Sequence, residues 1–415
     1  VRLASIGIGI CLYLTGFPLA QRAEPQQAAQ WTRHTIDASS LGADGVRAAD
    51  ANGDGAMDLV TSWEQGGVTR VYLADRSRPG TPTWKIVTVG KSPDAEDAVF
   101  FDADGDGDLD IISSAEGRSR RILVHWAPPV ASYTREREWK TDTLYSDGSQ
   151  WMFAVPMDVD HRRGADLIVG GKNERASIGW LESPADPQRV GDWTFHRLSD
   201  AGWIMSLLIK DMNRDGHPDV LVSDRFGAMA GVRWLENPGS EPAALNGPWT
   251  NHWIGARSRA PMFIDTADLD DDGVDEIVVP HYLKDDFGLS IFKRSNPKSD
   301  SWVEHAITYP AFAGRPKAVA VGDIDLDGKR DLILSAEQAT NGKRGIVWLR
   351  HRDSPFRADW DVFDLSGPEG IKFDLNLLLD VDADGDLDVV NSEENDNARD
   401  GKAGLGVVWY ENPTR

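Results

Sequence analysis

The chain has 415 residues, is 40% hydrophobic and carries a formal net charge of −23. That length suits two or three ordinary domains or one large repeat domain. The negative charge argues against nucleic acid or an anionic membrane surface as partner, since either would repel it. Its single cysteine, Cys11, leaves no intrachain disulfide to stabilise the fold.

In chain order, residues 1–23 read first as an export signal peptide. Arg2 supplies a positive start, and Leu3 to Leu14 form an apolar run too short to span a bilayer. Small residues follow, with Ala20 and Ala23 as cleavage points. No later apolar run approaches the length of a membrane span, so no membrane insertion is expected. The expected location is periplasmic or extracellular.

From Trp31 to Pro413 one pattern keeps returning: Asp-x-Asp-x-Asp-Gly-x-x-Asp, then apolar residues. Its copies begin at Asp50, Asp102, Asp158, Asp211, Asp268, Asp323 and Asp380. Repeats of this length, with short apolar runs between turn signals, indicate a β-propeller or a solenoid of sheets. The sixth copy shows the unit, with runs at Pro316–Val321, Asp331–Ser335, Gly345–Leu349 and Trp360–Leu365. Four short strands per repeat make a propeller blade. The seventh repeat stops after its third run, Val407 to Pro413, while Trp31-Thr-Arg-His-Thr-Ile is an orphan fourth strand at the other end. The expectation is therefore an all-β, seven-bladed propeller over 31–413, closed by the N-terminal strand completing the last blade. Closure removes free sheet edges.

Twelve of the 16 tryptophans recur with the repeat. Trp31, Trp84, Trp139, Trp193, Trp249, Trp302 and Trp360 open fourth strands. Trp126, Trp180, Trp234, Trp348 and Trp409 lie on third strands, with Tyr72 and Phe292 in the other two blades. All are expected to pack between blades. His34, His196, His252 and His305 share one place on the fourth strand and take the same structural reading.

The acidic loops have the chemistry of a calcium site, which wants six to eight oxygens on a flexible loop. Six loops supply full sets: Asp50, Asn52, Asp54 and Asp58; Asp102, Asp104, Asp106 and Asp110; Asp211, Asn213, Asp215 and Asp219; Asp268, Asp270, Asp272 and Glu276; Asp323, Asp325, Asp327 and Asp331; Asp380, Asp382, Asp384 and Asp388. The third loop keeps Asp158, Asp160 and Asp166 but carries Arg162 and Arg163, so an ion pair is expected there in place of a metal. About six structural Ca²⁺ ions would offset roughly half of the net charge and stabilise the blades by mass action.

First and second strands run in opposite directions, so their far ends meet on the face opposite the loops. Six residues past each loop stand Glu64, Glu116, Lys172, Arg225, Tyr282, Glu337 and Glu394, with Trp63, Asp224, His281 and Glu393 one place earlier. Six residues before each loop stand Asp44, Glu96, Met152, Met205, Met262, Lys317 and Asp374, and just upstream lie Trp151, Trp203, Arg315 and Lys372. Both sets form rings about one mouth of the channel. Aromatic faces and charged hydrogen-bonding groups suit a carbohydrate or cell-surface glycan, above all a uronic acid held by Arg225, Lys172 or Lys317.

The loops, and phrases such as Gly231-Val-Arg-Trp-Leu-Glu-Asn-Pro, resemble those of FG-GAP/VCBS-repeat propellers of a secreted bacterial branch. The resemblance spans Trp31 to Pro413 and implies a calcium-bound seven-bladed fold. Relatives with this fold include adhesion modules and polysaccharide lyases, so the fold does not choose between binding and catalysis. The binding reading has the mouth recognise a glycan. The enzyme reading is β-elimination on a uronate, with His281 and Tyr282 as base and acid and Arg225 or Lys172 as the cation. A hydrolase using Glu337 and Glu394 is a third option.

Overall fold

The computed structural model describes residues 31–77, 80–239, 241–296, 300–395 and 404–415. The export signal read at 1–23 lies outside them. Seven antiparallel sheets follow one another around a ring. In blade one the order is Ala43–Ala49, Asp58–Trp63, Val68–Asp75 and Thr83–Lys91, each strand beside the next. Blades two to six repeat this meander through Asp361–Asp364.

Blade seven is assembled from both ends of the chain. Phe373–Leu379, Asp388–Glu393 and Gly406–Glu411 are completed by Thr32–Asp37, whose Thr32, Arg33 and His34 face Glu411, Tyr410 and Trp409. The orphan strand read from the sequence thus closes the ring. No helix among the described residues is long and apolar enough to cross a membrane.

Apart from Leu283 at the end of blade five's, the second strands are buried along their whole length, because both faces of each sheet meet a neighbouring blade. The core accordingly lies between blades. Trp63 and Tyr72 of blade one pack with Val390, Val407 and Trp409 of blade seven, for example. Each such side chain contributes about 2–3 kcal/mol on burial.

The third-strand aromatics fill these seams, but not from one place. Trp180, Trp234, Trp348 and Trp409 oppose the second residue after the loop's last carboxylate. Tyr72 and Phe292 oppose the first, where blade two has His125. Trp126 therefore sits one place further on. His34, His196 and His252 stack on Trp409, Trp180 and Trp234 at 4.3, 4.7 and 4.1 Å. Each also hydrogen-bonds a glutamate, at 2.6, 2.8 and 2.8 Å for Glu411, Glu182 and Glu236. That is the structural role read for them.

Candidate functional site

Two regions carry clustered polar chemistry, one on each face. On the first, every loop turns on hydrogen bonds from its own backbone to its acidic side chains. In the seventh, Asp380 accepts from the backbone N–H groups of Asp384 and Gly385 at 3.1 and 3.2 Å. Gly385 has φ +94°, the left-handed conformation that this tight turn requires.

The last carboxylate is a clamp. Asp388 accepts from Val381 within the loop and from Asn412 beyond the third strand, both at 2.8 Å. Asp58, Asp110, Asp166 and Asp219 make the same pair of bonds in their blades. Asp166 belongs to the third loop, so the clamp does not depend on a complete ligand set. Burial, aided by neighbouring loop carboxylates, pushes Asp388 and Asp331 up to about 7 and Asp110 up to about 8.

The donor sets suit a hard divalent cation. Oxygens of Asp102, Asp104 and Asp106 lie within 4.8 Å of one another, as do those of Asp323, Asp325 and Asp327. In the sixth loop the buried Oδ1 of Asp323 has no hydrogen-bond partner among the described residues. The third loop departs from expectation. Arg162 and Arg163 are exposed, and among the described residues neither pairs with its carboxylates. The imidazole of His161 lies 3.2 Å from Asp158 instead. The tight turn gives His161 and Arg163 positive φ, and both arginines project into solvent rather than back over the loop.

The opposite mouth opens into a cavity of about 400 Å³ lined by residues of all seven blades. Seven second-strand ends were expected there, and six line it: Glu64, Glu116, Lys172, Arg225, Glu337 and Glu394, while Tyr282 does not. From first strands come Asp44, Glu96, Met152, Met205 and Lys317, with Trp203, Arg315 and Lys372 just upstream.

A backbone irregularity aims the first-strand residues. Pairing with the second strand slips between Ala95 and Asp97, Trp151 and Phe153, Ile204 and Ser206, and Pro316 and Ala318. The residues skipped are Glu96, Met152, Met205 and Lys317. A β-bulge re-aims its extra side chain, here into the channel. In blade one the slip follows Asp44, which still pairs with Ser62, and in blade seven it skips Asp374, which is buried and does not line the cavity. Blade five breaks its first strand altogether, into Ala260–Pro261 and Asp265–Ala267. Its lining residue is consequently Phe263, while the expected Met262 is wholly buried.

Strand alternation removes the residues one place earlier from the cavity. Trp63 is buried and its indole N–H donates to Tyr72 at 2.9 Å. Trp151 is buried between blades two and three. Asp224 accepts from the backbone of Trp203 at 2.8 Å and pairs with Arg233 at 3.2 Å. Glu393 accepts from the backbone of Ile371, Lys372 and Leu405.

His281 turns away from the cavity to Ser290 at 2.9 Å, beside Arg259, and burial pushes its imidazole down to about 4. Tyr282 stands behind Arg225, accepting from its Nε at 2.9 Å. Base and acid of the elimination reading therefore do not converge on one space.

Charges in the cavity are mostly matched. Lys172 pairs with Glu96 at 2.7 Å and with Glu116. Lys317 pairs with Asp374 and Glu394 at 3.1 and 3.2 Å, Lys372 with Glu394 at 2.6 Å, and Arg315 with Glu337. Of the lining cations, Arg225 alone has no carboxylate partner among the described residues. Its guanidinium lies 5.0 Å from the ring of Trp203 and 4.8 Å from that of Phe226. Phe226 is an exposed aromatic that the spacing argument did not single out.

Comparison with known proteins bears on the fold. The FG-GAP-like repeat family matches residues 50–113 and 211–279, and the FG-GAP repeat matches 316–349. No curated protein matches the sequence. Among solved structures, BBS1N in complex with ARL6DN, soaked with lead, aligns at 11% identity over 92% of this chain and 97% of that one, with a TM-score of 0.51. The mercury-soaked form of the same complex gives 0.50 over the same shares. At that identity the likeness concerns the fold alone. The chain thus carries FG-GAP repeats in those segments and folds as a seven-bladed β-propeller.

Proposed function

We propose that this is an exported, calcium-stabilised propeller that binds a carbohydrate or cell-surface glycan at the mouth opposite its acidic loops. The observation that carries the ligand reading is Arg225. It is the lining cation left without a carboxylate, and it stands between the rings of Trp203, Phe226 and Tyr282. Sugar rings stack on aromatic faces, and a guanidinium takes a sugar carboxylate in two parallel hydrogen bonds. An acidic sugar is therefore the favoured ligand class. The cavity volume is in the range of small-molecule sites.

The loops of blades one, two, four, six and seven supply the oxygens that would hold calcium. The ion would offset their charge and bind the folded chain alone, so it would raise stability by mass action.

A glycan array with the purified chain tests the ligand. Binding to uronate-containing glycans is expected, with R225Q and W203A each weakening it at least about ten-fold, or 1.4 kcal/mol. Added salt should weaken it too, since the contact is ionic. Glycan binding that R225Q leaves unchanged would move the site elsewhere. Chelation should lower the melting temperature, and an unchanged melt would remove calcium from the account.

A further inference from the structure

One register position decides what each acidic loop faces. It is the residue on the third strand that follows the partner of the first apolar residue after the loop. Leu73 and Trp126 hold it in blades one and two, Glu182, Glu236 and Glu411 in blades three, four and seven. In blade five it is Lys293. Its Nζ lies 2.8 Å from Asp270, 2.6 Å from Asp272 and 3.1 Å from Glu276. Those are three of the four side chains that this loop would offer a cation. An ammonium has three donors, and here each has its own carboxylate.

Arg350 holds the position in blade six, but of that loop's carboxylates it pairs with Asp325 alone among the described residues, at 2.8 Å, and it also pairs with Asp361 outside the loop at 3.6 Å. Blade five is also tied to blade four by two more cations. Arg214 donates to the carbonyl of Gly273 at 2.7 Å, and Lys210 pairs with Asp275.

The fifth loop therefore does not fit calcium as its siblings do. A divalent ion among these carboxylates would meet a positive charge at contact distance and would have to expel it. We infer that the fifth loop is closed by its own cation, Lys293, and takes no calcium. This rests on the calcium reading of the other loops.

Native mass spectrometry of the whole chain in excess calcium tests it. Lys293→Leu restores the residue of blade one, and Lys293→Glu that of blade four. Each is expected to bind one more calcium than the wild type, and adding Asp272→Asn should remove the gain. Chelation should also shift the melting temperature of K293L further than that of the wild type. Calcium on the wild type with equal counts in both variants would overturn the inference alone. Calcium on none of the three proteins would overturn it together with the calcium reading. If K293L fails to fold, K293E gives the same count.

Discussion

The ammonium of Lys172 lies 2.7 Å from the carboxylate of Glu96, 76 residues earlier, and so ties blade three to blade two across the channel mouth. Glu116 takes the same ammonium, and the ring of Trp203 from blade four lies 4.5 Å from it. All three charged side chains are largely buried, at 7%, 15% and 14% exposure for Lys172, Glu96 and Glu116. Removing the cation leaves two desolvated carboxylates facing each other. Lys172→Met should cost about 3–5 kcal/mol, read as a lower denaturant midpoint at unchanged slope. Adding Glu96→Gln and Glu116→Gln should recover much of the loss. A loss below about 1 kcal/mol would mean the pair is solvated.

Asp44 faces the opposite problem. Burial first, then Glu394, Glu96 and Asp374, hold its carboxyl well above the usual range. A pKa raised on folding means that the protonated form favours the native state. That contribution is complete below the unfolded value, near pH 4, and is lost as pH rises toward the folded value. Asparagine resembles the protonated acid at every pH. Asp44→Asn should match the wild type near pH 4 and exceed it by about 1 kcal/mol or more above pH 6. Denaturant melts from pH 4 to 8 check this. A variant less stable than the wild type at pH 8 would show that the ionised acid is wanted.

The blades were legible because each acidic loop marks the joint between first and second strands, so Asp50 through Asp380 count them. The closing strand was legible because Trp31 repeats the start of every fourth strand. The mouth was legible only in part. Counting six residues from a loop finds Lys172 and Arg225, since a regular strand keeps its phase. It also found Glu96 and Lys317, because the bulges of blades two, three, four and six add their extra residue at the same place. The count failed at Met262, where the first strand of blade five breaks after Pro261 and Phe263 takes the channel position. Pro261 did not signal the break, because Pro316 holds the same place in the unbroken first strand of blade six. Pairing of charges, across blades as between Lys172 and Glu96 or within one as between Lys293 and the fifth loop, depends on register and was not legible at all.

Asp388 and Asp166 together separate the clamp from any metal. It satisfies two backbone N–H groups, Val381 and Asn412, both at 2.8 Å. Alanine would leave both unsatisfied at about 1–3 kcal/mol each, so Asp388→Ala should cost about 2–6 kcal/mol. In the third loop Asp166 makes the same bonds, to Val159 and Ser183 at 3.0 and 2.8 Å. Asp166→Ala should therefore cost a similar amount, whether or not chelator is present. If Asp166→Ala is harmless while Asp388→Ala is severe, the seventh loop's carboxylate acts mainly through a bound ion.

Ring closure depends on seven or so residues at the start of the described chain. Thr32–Asp37 covers the edge of Gly406–Glu411, and His34 both stacks on Trp409 at 4.3 Å and bonds Glu411 at 2.6 Å. Deleting residues up to Asp37 would expose that strand's unpaired N–H and C=O groups, a template for another chain. The truncated protein should associate or aggregate in size-exclusion chromatography with light scattering. A synthetic peptide of residues 31–37, added in excess during refolding, should restore the monomer-sized species by pairing in trans. A truncated chain that stays soluble at the size and melting temperature of the intact chain would show that six complete blades hold the ring without the seventh being finished.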